Sequence, residues 1–143
     1  MACWRGRLRR SSESTRIVSR MITFDTYAWI EYFMGSEKGR QVSHYVNSDD
    51  PIFTPTICLA ELMVKFLRDG VPETNRKKTI ERVRKRSMLM QLDDVIALKA
   101  AELKNEGLPL VDAVVYATAL QNKTQLLTGD KHFESYPEVV FLK

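Results

Sequence analysis

Five short apolar runs are spaced along the chain, and helix-length segments lie between most of them. The runs are Met21–Phe24, Pro51–Thr54, Met88–Leu92, Gln125–Thr128 and Val139–Leu142. Apolar runs this brief, bounded by turn residues, suit buried strands better than helices. After the first run comes Thr26–Met34, rich in aromatics and closed by Gly35. A segment from Ser36 or Glu37 to Asn47 follows, with Val42, Tyr45 and Val46 near helical spacing. Thr54-Pro55 reads as an N-cap followed by proline at the first helical position, opening a helix to about Arg68 that stops at Asp69-Gly70. Val71-Pro72 opens a charged helix ending near Arg86. Asp93 caps a helix to Glu106 that Gly107 ends, and Pro109 opens a last one through Gln121. Strands alternating with helices predict an α/β fold: a three-layer sandwich with a central parallel sheet of about five strands flanked by helices.

With 143 residues, the chain has room for one domain and no second enzyme module. Hydrophobic residues at 44% and charged residues at 28% exclude a disordered or fibrous chain. Its two cysteines, Cys3 and Cys58, are too few for a secreted disulfide framework or a four-cysteine zinc site. No apolar run approaches the roughly 18 residues of a membrane helix, so no membrane partner is expected and the expected location is cytoplasmic.

The net charge of +4 is unevenly spread. Residues 1–20 hold Arg5, Arg7, Arg9, Arg10, Arg16 and Arg20 against Glu13 alone, a net of +5 that leaves residues 21–143 at −1. With Ser11, Ser12 and Ser14 and no steady hydrophobic period, this segment reads as a basic, disordered arm. It lacks the apolar stretch of a secretory signal. In composition it resembles an organelle transit peptide, and a nucleic-acid-binding arm is another reading. The plainest reading is an extension ahead of a natural start at Met21, which leaves residues 21–143 as the working domain.

In open parallel sheets, ligands bind beyond the carboxyl ends of the strands, and four carboxylates stand there or on the helices that follow. Asp25 directly follows the first strand and is the only charged residue between Arg20 and Glu31. Glu61 lies in the helix after the second strand. Asp112 lies in the first turn of the helix opened by Pro109, the only charge between Glu106 and Lys123. Asp130 follows the fourth strand in Leu126-Leu127-Thr128-Gly129-Asp130. Each has a plainer reading taken alone. Asp25 suits a helix cap, Asp112 a complement to the helix dipole, and Asp130 a turn residue. Glu61, Lys65 and Arg68 fall at i, i+4 and i+7, the spacing of a solvated stripe with a Glu–Lys pair.

Together, four segments resemble the PIN-domain nucleases, in particular the small toxins of the VapBC toxin–antitoxin type. They are Phe24-Asp25-Thr26-Tyr27-Ala28-Trp29-Ile30-Glu31-Tyr32-Phe33, Thr54-Pro55-Thr56-Ile57-Cys58-Leu59-Ala60-Glu61-Leu62, Leu108-Pro109-Leu110-Val111-Asp112-Ala113-Val114-Val115-Tyr116-Ala117-Thr118-Ala119 and Leu126-Leu127-Thr128-Gly129-Asp130-Lys131-His132-Phe133. The resemblance runs in order from Met21 to the C-terminus and leaves residues 1–20 outside it.

The resemblance implies that Asp25, Glu61, Asp112 and Asp130 are the acidic metal-site residues, and that Thr128 is the hydroxyl beside the last acid that helps orient the site. Converging carboxylates repel one another, and a divalent cation removes that repulsion. All-oxygen ligands suit Mg²⁺ or Mn²⁺. Such a cation would orient a water, lower its pKa and stabilise charge developing on a phosphate. The implied reaction is hydrolysis of a phosphodiester in RNA. Asp25, Asp112 and Glu61 are the expected direct ligands; Asp130 is expected to bind a second metal or to act through water. The resemblance further implies a homodimer and a cognate antitoxin that inhibits by placing a basic residue in the acidic site. Two alternatives stand beside this reading. One is a PIN-like module that binds RNA or protein without cleaving, which the intact set of acids argues against. The other is a different metal-dependent phosphohydrolase on an α/β sheet.

A negative pocket needs help to hold a polyanion. Residues 76–86 contain seven bases and one acid, and Lys78, Arg82 and Lys85 or Arg86 share one helical face. That face suits phosphates, although charge runs are more often solvated surface. His44 and His132 match no histidine-based metal motif, and His132 reads as structural or exposed. Cys58 is expected to pack as a small hydrophobe. Tyr27, Trp29, Tyr32 and Phe33 are expected in the core or at a dimer interface rather than as a platform for bases.

Overall fold

A computed structural model describes residues 21–143. The expectations for the arm, residues 1–20, fall outside the described residues. Strand β1 is Ile22–Phe24, followed by helices α1 (Thr26–Met34) and α2 (Glu37–Val46). Strand β2 (Ile52–Pro55) leads into α3 (Thr56–Arg68) and α4 (Glu73–Arg86). Strand β3 (Met88–Met90) precedes α5 (Asp94–Asn105) and α6 (Leu110–Gln121). The chain closes with β4 (Gln125–Thr128), a 3-10 turn over Lys131–Phe133, and β5 (Val139–Phe141).

The five strands form one sheet in the order β3-β2-β1-β4-β5, and every pairing is parallel. Alternation of side chains across a strand divides the core into two layers. On β4, Leu126 joins a cluster with Ile96, Ala100, Leu103 and the buried face of α6. Its neighbour Leu127 joins the opposite cluster, with Phe24, Trp29, Val42, Leu62 and Val83. Helices α1, α2 and α4 therefore cover one face and α5 and α6 the other. Helix α3 sits between them, giving Cys58 to one cluster and Leu62 to the other. This is the expected three-layer sandwich.

The aromatics of α1 belong to the second cluster. Trp29 is fully buried, stacks on Phe33 with centroids 5.8 Å apart, and meets Phe24 at 4.9 Å. Gly39 lets α2 lie against α1, because a Cβ there would stand 2.1 Å from the Glu31 carbonyl oxygen.

The start of α3 differs from the sequence reading by one position. Pro55 is both the last residue of β2 and the cap of α3. Thr54 cannot cap, since its buried hydroxyl accepts from Trp29 Nε1 at 3.0 Å and donates to Ser87 Oγ at 2.8 Å. Strand β3 is shorter than Met88–Leu92, because its neighbour β2 ends at Pro55, opposite Met90.

Candidate metal centre

The strand order reverses between β1 and β4: successive strands step outward through β2 and β3 on one side and from β4 to β5 on the other. Such a switch point opens a crevice beyond the carboxyl ends of its two strands. Asp25 leaves β1 there and Asp130 follows β4. Register places them together, since Phe24 is opposite Leu127 and Thr128 comes next.

Asp25 is 5% exposed. Its Oδ1 accepts from the Ala28 amide at 2.8 Å, so it caps α1 as well as facing the crevice. Its Oδ2 accepts a short hydrogen bond from the Thr128 hydroxyl. The same Thr128 oxygen accepts from the Asp130 amide at 3.0 Å. Thr128 thus couples the first acid to the loop that carries the last. Burial pushes the Asp25 carboxyl up from the ordinary 3.8 to about 7. The Thr128 and Ala28 hydrogen bonds oppose that rise, while the charges of Asp130 and Glu61 add to it.

Glu61 is half-buried, and its Oε1 accepts from the Thr26 hydroxyl at 2.7 Å. The solvated Glu61–Lys65 pair is not formed: Lys65 Nζ bonds Asp69 Oδ2 at 2.9 Å instead. Cys58 is buried one turn before Glu61, and burial pushes its thiol up, so it stays an uncharged packing group. Asp112 lies in the first turn of α6, and burial first, then the nearby Asp130 charge, raises its carboxyl. Glu61 adds to that rise, and a hydrogen bond from His132 opposes it. The charges of Asp130 and Glu61 thus act on both Asp25 and Asp112.

His132 is the residue that motif reasoning undervalued. Its Nδ1 lies 2.7 Å from Asp112 Oδ2 and 3.1 Å from Asp130 Oδ1. Asp112, Asp130 and His132 each offer a ligand atom within 4.8 Å of the others. Asp25 and Glu61 stand outside this tight triplet. The available signal was position: two residues past Asp130, a side chain can turn back over the same loop. Thr26 was missed too, although it directly follows Asp25.

Gly129 packs the loop against α1, since a Cβ there would meet the Tyr27 ring at 2.2 Å. Phe133, 1% exposed, anchors the far end of the turn.

The basic helix α4 is a separate region. Lys78, Arg82 and Lys85 are exposed. Arg82 lies 5.4 Å over the Tyr32 ring and donates to its hydroxyl at 2.7 Å. Arg86 is different. Its Nε donates to the Val46 carbonyl at 2.7 Å, and its Nη2 donates to those of Tyr45, Ser48 and Asp50. It closes the end of α2 and the loop to β2, which leaves it little freedom to grip a phosphate. Among the described residues, no helix is long and apolar enough to cross a membrane.

The PIN-domain family profile matches residues 22–139. No curated protein matches the sequence. Among solved structures, a toxin–antitoxin complex from Klebsiella pneumoniae is similar at a TM-score of 0.71 and 23% identity, over 85% of this chain and 98% of that one. VapBC2 from Rickettsia felis, bound to a DNA fragment from its promoter, is similar at 0.67 and 14% identity, over 85% and 96%. DNA-bound VapBC from Salmonella typhimurium is similar at 0.60 and 18% identity, over 85% and 96%. At these identities the likeness is one of fold.

Proposed function

The chain belongs to the PIN-domain family, and from that premise we propose that it is a Mg²⁺- or Mn²⁺-dependent endoribonuclease, the toxin of a toxin–antitoxin pair. The observation that carries the reading is the approach of Asp112 and Asp130 to His132 Nδ1, at 2.7 and 3.1 Å, beside the buried Asp25 that Thr128 ties to the Asp130 loop. Their fit to a cation rests on the Asp25 carboxyl, buried yet facing other acids and held up at about 7. A cation beside such a group favours its ionised form. The donor set is mostly carboxylate oxygen, which suits hard divalent ions.

When bound, such a cation supplies a polarised water as nucleophile and positive charge opposite the scissile phosphate. Asp25, Asp112 and Glu61 are the proposed direct ligands, with Asp130 acting through water or toward a second ion. Thr128 fixes the Asp25 rotamer and the Asp130 loop together, so the first and last acids keep their spacing. Thr26 does the same for Glu61. Lys78, Arg82 and Lys85 on α4 are the proposed phosphate contacts, and they position the RNA without reading its sequence.

The working unit is taken as residues 21–143, a homodimer in the cytoplasm. Its proposed partner is an antitoxin, a reading supported by neighbours that are themselves toxin–antitoxin complexes. A short neighbouring reading frame with a DNA-binding fold would support the toxin role, and a solitary gene would favour a processing nuclease.

The test is a Mg²⁺ and Mn²⁺ titration of cleavage on defined RNAs, with Asp25→Asn and Asp112→Ala as controls. Each control is expected to lose on the order of 100-fold or more of the activity. Cleavage at the wild-type rate in either control, or full cleavage in EDTA, would sink the reading.

A further inference from the structure

We propose that the His132 imidazole is itself a ligand of the cation, through Nδ1, and that this nitrogen tilts the site toward Mn²⁺ over Mg²⁺. The proposal rests on the metal-dependent reading above and deepens it, by making Asp130, whose role that reading left between water and a second ion, a direct ligand beside Asp112 and His132. An exposed histidine on a surface turn ordinarily extends into water. Here the ring is 57% exposed, yet Nδ1 points inward at two carboxylates on different elements, Asp112 on α6 and Asp130 after β4.

The spacing is that of adjacent ligands. Donors on neighbouring corners of an octahedral ion, with bonds of about 2.1 Å, stand about 3 Å apart. The two Nδ1–oxygen distances are 2.7 and 3.1 Å, and all three donor atoms lie within 4.8 Å of one another. The ring is also held in place. The His132 amide donates to Asp130 Oδ1 at 3.0 Å, closing the turn, and the buried Phe133 pins the next residue. No core packing requires this histidine, because the ring is largely in solvent.

The chemistry follows from the donor type. Mg²⁺ binds hard oxygen almost exclusively, whereas imidazole nitrogen suits first-row transition ions. Replacing one oxygen position by nitrogen costs Mg²⁺ more than Mn²⁺. A neutral ring also adds a ligand without adding further negative charge beside Asp112 and Asp130.

The experiment binds Mn²⁺ to the full chain and reads its ligands by pulsed electron paramagnetic resonance, where a coordinated imidazole gives a ¹⁴N modulation. The wild type is expected to show that modulation, and His132→Ala, folded by circular dichroism, is expected to lose it. In the same pair, Mn²⁺ affinity by calorimetry is expected to fall by at least roughly tenfold, the loss that removing even an outer partner of a metal ligand brings. Mg²⁺ affinity is expected to change far less. Bound Mn²⁺ without ¹⁴N modulation in the wild type, or an unchanged signal in His132→Ala, overturns the His132 assignment and leaves the metal-dependent reading standing. Equal losses for the two ions overturn the preference for Mn²⁺. No Mn²⁺ binding by the wild type overturns both readings together.

Discussion

Asp25 and Lys78, an acid and a base, sit under opposite conditions. Asp25 is buried, accepts from a backbone amide and from Thr128, and has no freedom to reorient. Lys78 extends from α4 into water. Their neighbourhoods follow suit. Around Asp25, Glu61 is bonded to Thr26 at 2.7 Å and Asp130 is bonded to the His132 amide at 3.0 Å. Along α4, Lys77 meets Glu73 at 3.1 Å with side chains 75% and 68% exposed, and such a pair contributes little. The acidic crevice is preorganised and costs desolvation to build. The basic face is adjustable and costs almost nothing. On the proposed function, the region that would place reacting atoms has the first design and the region that would follow a variable polyanion has the second.

The largest expected effect tests whether the crevice stores unfavourable energy. The Asp25 carboxyl titrates near 7 in the folded chain against the ordinary 3.8. A raised folded-state pKa contributes stability fully present below the unfolded value, and that stability is lost as pH rises through the folded value. Without divalent ions, stability is therefore expected to fall between about pH 4 and 7, by up to roughly 4 kcal/mol from this group alone. Asp25→Asn cannot ionise and is expected to lack this fall. Urea denaturation of both proteins across that range, with and without Mn²⁺, checks it, and Mn²⁺ is expected to restore wild-type stability above pH 7. Parallel curves for the two proteins would mean that Asp25 is not under strain.

Next in size is a contrast within α4. Arg86→Ala removes a charged donor from four carbonyls, and loss of charge-assisted bonds typically costs about 2–3 kcal/mol. Lys85→Ala is expected to stay within about 0.5 kcal/mol. Denaturant midpoints compare them. Equal midpoints would put Arg86 back among the mobile bases.

That contrast also marks where sequence reasoning stops. The βα alternation was legible because each apolar run is bounded by residues with one dominant local role, such as Asp93 capping α5 or Gly107 after it. Asp25 and Asp112 stood out as lone charges in apolar stretches, which local chemistry rarely tolerates without a reason. Helical periodicity grouped Lys78 and Arg82 with Lys85 or Arg86 but could not choose between the last two. They lie about 100° apart around the axis, and only the position of the α2–β2 loop decides which turns inward. The Thr26–Glu61 bond spans 35 residues, and the inward turn of His132 depends on α6. Both are products of tertiary packing, which a position beside an acid hints at but does not fix.

A smaller effect is expected from Thr128→Val, which keeps the shape and removes the hydroxyl shared by Asp25 and Asp130. Losing a group that orients a metal ligand typically costs 10- to roughly 100-fold in affinity or activity. Cation titration and initial cleavage rates measure it, and Thr128→Ser is expected to recover most of the loss. No recovery by serine would assign the damage to packing rather than to the hydrogen bond.

The smallest effect should come from the basic face, and it should differ in kind. Lys78→Gln with Lys85→Gln removes two positive charges that have no ion-pair partner among the described residues, without touching the crevice. If both contact phosphates, the slope of log affinity against log salt should shrink by about 0.7 per contact on single-stranded RNA. Affinity at moderate salt should then fall several-fold, while the cleavage rate at saturating RNA stays the same. A change in the saturated rate would mean that α4 shapes the reacting geometry, and the division between the two regions would fail. An unchanged salt slope would leave α4 as solvated surface and put RNA binding elsewhere on the chain.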